Sequence, residues 1–369
     1  MTVESRVGLN ASHAAPAIDI LPGDPIASLT VINALGALED PNQNGEHGLP
    51  AISSRVLTDA RASGMTAVNI TLGYIAGPAE PFQSTVASVA RWDRAIREHS
   101  QELMKVLTAA DIPRAKSEGK VGLVYGFQNG AMMGEDAARV EIFANLGVRV
   151  IQLTYNGGNS LGDGCMTGQD RPLSSFGHEV VAQLNANRVM VDLSHSGRRT
   201  CLDGARASRQ PVSINHTGCR ALADFPRNKT DEELRLVAEN GGFVGIYFMM
   251  FLSASGQASA TDVVAHIEHA LNVCGEDHVG IGTDGGTTPV DDLKGYEVQL
   301  AKIHADRVAQ GIAAAGEGAD TFPFVKELRG PEQFRRLARL LATRGHKAER
   351  IEKILGTNFL RYAREVWGA

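Results

Sequence analysis

Residues 189–217 read VMVDLSHSGRRTCLDGARASRQPVSINHT, and the fold turns on this stretch. Two short apolar runs, Val189–Leu193 (VMVDL) and Pro211–Asn215 (PVSIN), flank a segment with helical periodicity, and a histidine follows each run, His195 and His216. Runs that are apolar throughout, rather than alternating, suit strands buried on both faces, as a parallel sheet covered by helices requires. Working outward, six more runs of this kind appear: Leu29–Leu35, Thr66–Leu72, Val121–Phe127, Val148–Thr154, Gly242–Phe248 and Val279–Thr283. Helical stretches lie between them, so the order strand-then-helix repeats eight times. This predicts an α/β chain folded as a (β/α)8 TIM-type barrel more than an open doubly wound sheet. No GxGxxG follows the first run, so the dinucleotide reading loses its main support. Leu293–Ala319 is rich in Ala, Lys and Glu and predicts further helix, and Pro331–Gly345 and Lys347–Leu355 read as closing helices. With no internal repeat, linker or low-complexity tract, residues 1–369 are expected to form a single barrel domain with extra C-terminal helices.

Composition narrows the function classes. The 36 Lys+Arg against 42 Asp+Glu leave a net charge of −6, without the clustered cations that a nucleic-acid surface needs. At 43% hydrophobic and 21% charged residues, the chain has ordinary globular composition and can bury a large core. Cys165, Cys201, Cys219 and Cys274 show no C-x-x-C spacing, which argues against a disulfide framework or zinc ribbon and fits a reducing compartment. The N-terminal MTVESRVGLNASHAAPAIDI lacks a basic start followed by an apolar run, and no run of 18 apolar residues follows elsewhere. A cytoplasmic protein without a membrane span is the expectation.

A barrel carries its chemistry at the C-terminal ends of its strands, so the residue just past each apolar run is the one to inspect. Those residues include Gln128, Tyr155, His195, His216 and Asp284. Imidazoles at equivalent ends of adjacent parallel strands converge over the barrel mouth, the arrangement by which barrel hydrolases hold a divalent metal, and Asp284 can reach the same region. Each also has a plainer reading. A single histidine after a strand is more often a satisfied turn residue. Asp284, among Gly282, Gly285 and Gly286, reads equally as a turn aspartate whose neighbours supply unusual backbone angles. Asp192 either bonds nearby backbone or orients a histidine. His266 and His269 lie three apart, but on an amphipathic helix that faces away from the mouth, so they are read as structural. Arg227, beside Asn228 in a loop after the sixth run, suits a substrate carboxylate through its two-pronged donor geometry, or else ties down its own loop.

Taken together, VDLSHSGRRT, PVSINHTGCRALADFPRNKTDEEL, DHVGIGTDGG and KILGTNFLRY, with LGVRVIQLTYN and SSFGHEVVAQLN, resemble the membrane (renal) dipeptidase family, the M19 metallopeptidases of the amidohydrolase-like barrels. The resemblance runs in order over most of the chain. It implies a binuclear zinc hydrolase of dipeptides, often with a D-residue or dehydro-residue on the carboxyl side, and often a homodimer. It also implies that His195 and His216 bind metal, that Asp284 is the aspartate after the last strand, and that Arg227 and Asn228 lie on the substrate side. Four positions depart from the pattern. The family's His-x-Asp falls on Leu35 and Ala37, its bridging glutamate on Gln128, and its carbonyl-polarising histidine on Tyr155.

A neutral amide cannot offset the repulsion between two divalent ions, so the expectation is at most one metal, zinc or another divalent ion, held by His195, His216 and Asp284. A metal-free pocket stays open. Three functions follow. The first is a metal-dependent hydrolase of an amide or dipeptide-like bond in a small carboxylated substrate, with Asp284 as base, Tyr155 as oxyanion donor, and Arg227, Asn228 and Gln128 binding substrate. The second is a barrel repurposed, without metal, as a lyase, cyclase or isomerase. The third is a non-catalytic pseudoenzyme.

Overall fold

A computed structural model of the protein describes residues 23–43 and 52–368. The N-terminal stretch read for a secretory signal, together with His13 and His47, lies outside the described residues. Nine parallel strands form one sheet: β1 (Val31–Gly36), β2 (Met65–Thr71), β3 (Leu103–Lys105), β4 (Val121–Phe127), β5 (Val148–Gln152), β6 (Met190–Asp192), β7 (Ser213–Thr217), β8 (Phe243–Ile246) and β9 (Val279–Ile281). Their spatial order is β1-β2-β4-β5-β6-β7-β8-β9, with β3 paired to β4 off this path. Helices follow the strands, and the eight strands on the path make the nearly closed (β/α)8 barrel that the apolar runs predict.

The ring closes with help from side chains. Between β9 and β1, Asp284 N–H donates to Leu35 O (3.0 Å) and Thr283 N–H donates to Asn33 Oδ1 (2.8 Å). The Asn33 amide in turn donates to Thr283 Oγ1 (2.8 Å). Between β6 and β7 the Asp192 carboxylate accepts from Asn215 N–H (3.1 Å) and from Ser194 N–H (3.0 Å), standing in for a ladder bond. Asp192 is therefore the backbone-bonding residue of its two readings, and no hydrogen bond joins it to a histidine among the described residues.

The chain departs from the sequence expectation at the ends of elements. β7 begins and ends two residues later than the run read for it, so His216 lies inside the strand rather than just past it. β3 is three residues long, like β6 and β9, but its apolar run is broken by Lys105, whose Nζ bonds Asp93 Oδ1 (2.8 Å) and Leu146 O (2.7 Å). The helix expected over Leu293–Ala319 stops at Ala309, just before Gly311 at φ +67. The closing helix continues past Leu355, through a π turn at Lys353–Thr357, to Trp367.

That last helix, Asn358–Trp367, crosses the strands' starting ends. Asn358 Nδ2 bonds Val279 O (2.8 Å), Arg361 reaches Gly241 O (3.1 Å), and Trp367 Nε1 bonds Arg149 O (3.2 Å). Gly356 is required there, because a Cβ would lie 2.0 Å from Thr30 O. Phe359, Leu360, Tyr362 and Trp367 join Ile32, Ala34, Val150, Met190 and Phe243 in a buried apolar cluster separate from the larger one between strands and outer helices. One end of the barrel is thus sealed, and the opposite end carries the polar residues.

Candidate active site

His195 and His216 meet at that opposite end. The turn after β6 carries His195, β7 carries His216, and their Nε2 atoms are 2.9 Å apart with both rings buried. Asn156 Oδ1 lies 2.7 Å from His195 Nδ1. Because the Asn156 amide group donates to Ile312 O (2.8 Å), its oxygen faces the ring, so Nδ1 of His195 carries the proton and Nε2 presents a lone pair. His216 Nδ1 is buried without a hydrogen-bond partner, and His216 Nε2, facing the His195 lone pair, carries the proton of the contact between them. Burial first, then the charge of Arg227, holds both imidazoles well below the usual histidine range, hence neutral near pH 7.

Tyr155 covers the pair. Its ring stacks on His195, with centroids 4.2 Å apart and planes 23° apart. Burial raises its phenol above the ordinary value, with Arg307 opposing, so the hydroxyl stays protonated. Arg307, on the helix Leu293–Ala309, is itself held in a two-pronged ion pair with Glu317 (2.6 and 2.7 Å) and also donates to Ile312 O (3.2 Å).

Asp284 follows β9 at φ +56, a left-handed conformation that aspartate tolerates. The reading that its glycine neighbours supply the unusual angles is corrected, since Asp284 itself takes the positive φ. Gly282 is needed for space: a Cβ there would lie 1.9 Å from Asn215 O. The Asp284 carboxylate borders two cavities. One, of about 280 Å³, is walled by Tyr155, Met249, Arg307 and Glu317. The other, of about 500 Å³, is walled by Ala37, Thr71, Arg91, Trp92 and Gln128. Burial raises the Asp284 carboxyl above the ordinary aspartate value, against the pull of Arg227 and Arg307.

The expected three-ligand set is not assembled: among the described residues no group of three His, Cys, Asp or Glu side chains gathers around one point. Asp284 turns with its left-handed backbone toward the cavities, and the imidazoles stand as a pair. Leu35 is buried and Ala37 half-buried, neither offering a ligand atom. Gln128 donates to Thr71 Oγ1 (2.7 Å) on the wall of the larger cavity.

Arg227 is buried, donates to Ser194 O (3.1 Å), and lies over the Tyr247 ring at 5.7 Å. No carboxylate pairs with it among the described residues, which leaves its remaining donors for a ligand. Asn228 is spent on its loop instead. Its amide donates to Ala223 O (2.7 Å) and Phe251 O (2.8 Å), and its oxygen accepts from Tyr247. His266 bridges Cys219 N–H (2.8 Å) and Leu252 O (3.0 Å), and His269 pairs with Asp231 (2.7 Å), so both are structural as read.

Sequence reasoning passed over Asn156, Arg307 and the buried Lys229–Glu233 pair (3.2 Å). Asn156 had a signal, being the residue after a strand-end tyrosine. Arg307 had none, because a helix far along the chain brings it to the mouth.

A (β/α)8 barrel with paired imidazoles, a strand-end carboxylate and an unpaired buried arginine at its mouth belongs to the amidohydrolase-like hydrolases in class. Residues 59–309 match the membrane dipeptidase family (Peptidase family M19), and the chain belongs to that family. A protein in the pqqA 5' region of Klebsiella pneumoniae is 30% identical over 230 residues, 58% of this chain and 84% of that one. The fold is similar to an amidohydrolase from Pseudomonas aeruginosa, 33% identical, with TM-score 0.77 over 93% of this chain and 98% of that one. A metallo peptidase from Rhodobacter sphaeroides, liganded with a phosphinate mimic of the dipeptide L-Ala-D-Ala, is 19% identical with TM-score 0.71, over 92% and 99% of the two chains. At that identity the likeness is one of fold. No helix among the described residues is long and apolar enough to cross a membrane.

Proposed function

We propose that the protein hydrolyses an amide or dipeptide-like bond in a small carboxylated substrate, with one divalent ion, zinc by family, at His195 and His216. The observation that carries this reading is the convergence of the two Nε2 atoms at 2.9 Å, with the His195 tautomer set by Asn156. Two ligands of a tetrahedral zinc, each about 2.0–2.1 Å from it, lie roughly 3.3 Å apart, so the pair, hydrogen-bonded at 2.9 Å, would open by about 0.4 Å to hold one ion in place of the shared proton, with water in the other positions. A second ion does not fit, because Leu35, Ala37 and Gln128 offer it no anionic ligand. When bound, the ion would lower the pKa of a water and polarise the scissile carbonyl.

The chain's own residues supply the rest. Arg227 holds the substrate carboxylate in a buried setting where a charge-assisted bond is strong. Asp284, whose carboxyl burial raises above the ordinary aspartate value against the pull of Arg227 and Arg307, is suited as a base: it takes the proton of the attacking water and returns it to the leaving amine. Tyr155, protonated, donates to the oxygen on which negative charge develops. Tyr155 and Arg307 form part of the wall of the smaller cavity.

The test is metal content of protein purified without chelator, with turnover of a dipeptide panel that includes D-residues at the carboxyl end. Expected results are about one equivalent of metal, zinc-restorable activity after chelation, and loss of both in His195→Ala and His216→Ala. Protein that holds well under one equivalent and gains nothing from added zinc or manganese overturns the metal reading. The absence of a third gathered ligand favours one second reading: acid–base chemistry by Asp284 and Tyr155 without metal. Chelator-resistant turnover of a non-peptide metabolite would establish it.

A further inference from the structure

The hydrolytic reading leaves the larger cavity, about 500 Å³, without a role. It opens over the ends of β1, β2 and β4, and Asp284 separates its lining from that of the Tyr155 cavity. Arg91, from the helix Pro81–Glu98, is its one cationic wall residue among the described residues. The Arg91 Nε is buried with no hydrogen-bond partner, and among the described residues Arg91 makes no ion pair. The Nε itself is out of reach, but the guanidinium lines the cavity with no carboxylate beside it, so an anionic ligand there would supply the charge partner that the described residues do not. Beside it, Thr71 Oγ1 accepts from Gln128 and keeps its own hydrogen free to donate outward. Trp92 and Ile70 give the cavity an apolar flank. Glu39, the other charged wall residue apart from Asp284, is mostly exposed and lies 3.5 Å from Arg329.

From these groups we infer that the cavity is the subsite for the acyl half of the substrate and selects an acyl group bearing its own carboxylate, received by Arg91 and Thr71. The inference rests on the hydrolytic reading for the direction of the substrate: Arg227 takes the terminal carboxylate, the scissile bond lies at Asp284, and the acyl side chain extends toward Arg91. A metal cation is disfavoured in the same space, because it would face the charge of Arg91.

Glu-D-Ala and Gln-D-Ala, matched in size and differing by one charge, are the probes. Initial rates and calorimetric titration are measured on the full-length protein and on Arg91→Gln and Arg91→Glu, with thermal melts to show that each variant is folded. Wild type is expected to prefer Glu-D-Ala by about tenfold or more, as a desolvated guanidinium–carboxylate contact allows. Arg91→Gln should remove the preference, and Arg91→Glu should bind Lys-D-Ala better than Glu-D-Ala. Should the variants not fold, the wild-type preference and its retention in Arg91→Lys decide. Equal affinity for the two probes in wild type, or binding of neither, overturns the inference. Discrimination in binding without cleavage overturns the hydrolytic reading and leaves the subsite standing; cleavage without discrimination does the reverse.

Discussion

Asn156 shows how much one uncharged side chain decides at the residue scale. Its oxygen holds His195 in the Nδ1–H tautomer, its amide holds Ile312 O, and Arg307 donates to that same carbonyl. The imidazole and the segment that brings Arg307 to the mouth therefore share one fixed point. Removing an outer partner of a ligating histidine typically costs 10–100-fold in metal affinity or activity. Asn156→Ala is accordingly expected to lower kcat/KM by about 10–100-fold and to weaken metal retention in an equilibrium dialysis series, with little change in the melting temperature. Unaltered kinetics and metal content would show that His195 needs no such support. The strand-end residues Tyr155, His195 and Asp284 were legible in the sequence, because a polar residue closing an apolar run has few other reasons to be there. The meeting of the imidazoles was expected from their places at the ends of adjacent parallel strands, whereas the absence of a third ligand beside them was not, since it depends on the left-handed backbone at Asp284. Nor was the consumption of Asn228 by its own loop, because partners such as Phe251 O become visible only in three dimensions.

Elements were legible according to the purity of their pattern rather than their length. The eight apolar runs became strands, β6 and β9 as short as β3 at three residues each, whereas Lys105 breaks the apolar run of β3. The helix ends at Ala309 and Trp367 are set locally, by Gly311 at φ +67 and Gly368 at φ +84. A histidine shows how a tertiary contact works between elements. His266, on the helix Ala260–Cys274, accepts from Cys219 N–H after β7 and donates to Leu252 O after β8. Burial pushes its pKa down from the ordinary 6.5 to about 4. The folded protein keeps it neutral while the unfolded chain takes up a proton, so its stabilising contribution is complete above pH 6.5 and lost as pH falls from there toward 4. The whole difference is worth up to about 3 kcal/mol. Denaturant unfolding at a series of pH values should show this slope in wild type and a flatter one in His266→Gln. Identical slopes in the two proteins would show that another group governs acid sensitivity there.

At the scale of the whole molecule, the barrel separates chemistry from stability along its axis. The strands' finishing ends carry the imidazole pair, Asp284 and the two cavities, while their starting ends are closed by the helix Asn358–Trp367. Phe359 lies at the centre of that seal, edge-on to Phe243 at 5.2 Å and at 81° to Tyr362, with 1% exposure. Truncating a buried phenylalanine removes both its transfer free energy and the contacts of its neighbours, about 3–5 kcal/mol in total. Phe359→Ala should therefore lower the unfolding free energy by about that amount, read from denaturant melts, and make the C-terminal helix exchange its amide hydrogens faster than the outer helices do. Because conservation of shape at the sealed end serves stability and the opposite end serves reaction, kcat per folded molecule should stay within about twofold of wild type. A variant that lost turnover while keeping its stability would mean that the seal transmits to the mouth through the barrel interior. The path for such coupling is present: Met190 of β6 belongs to the sealed cluster, and five residues on, the same segment carries His195.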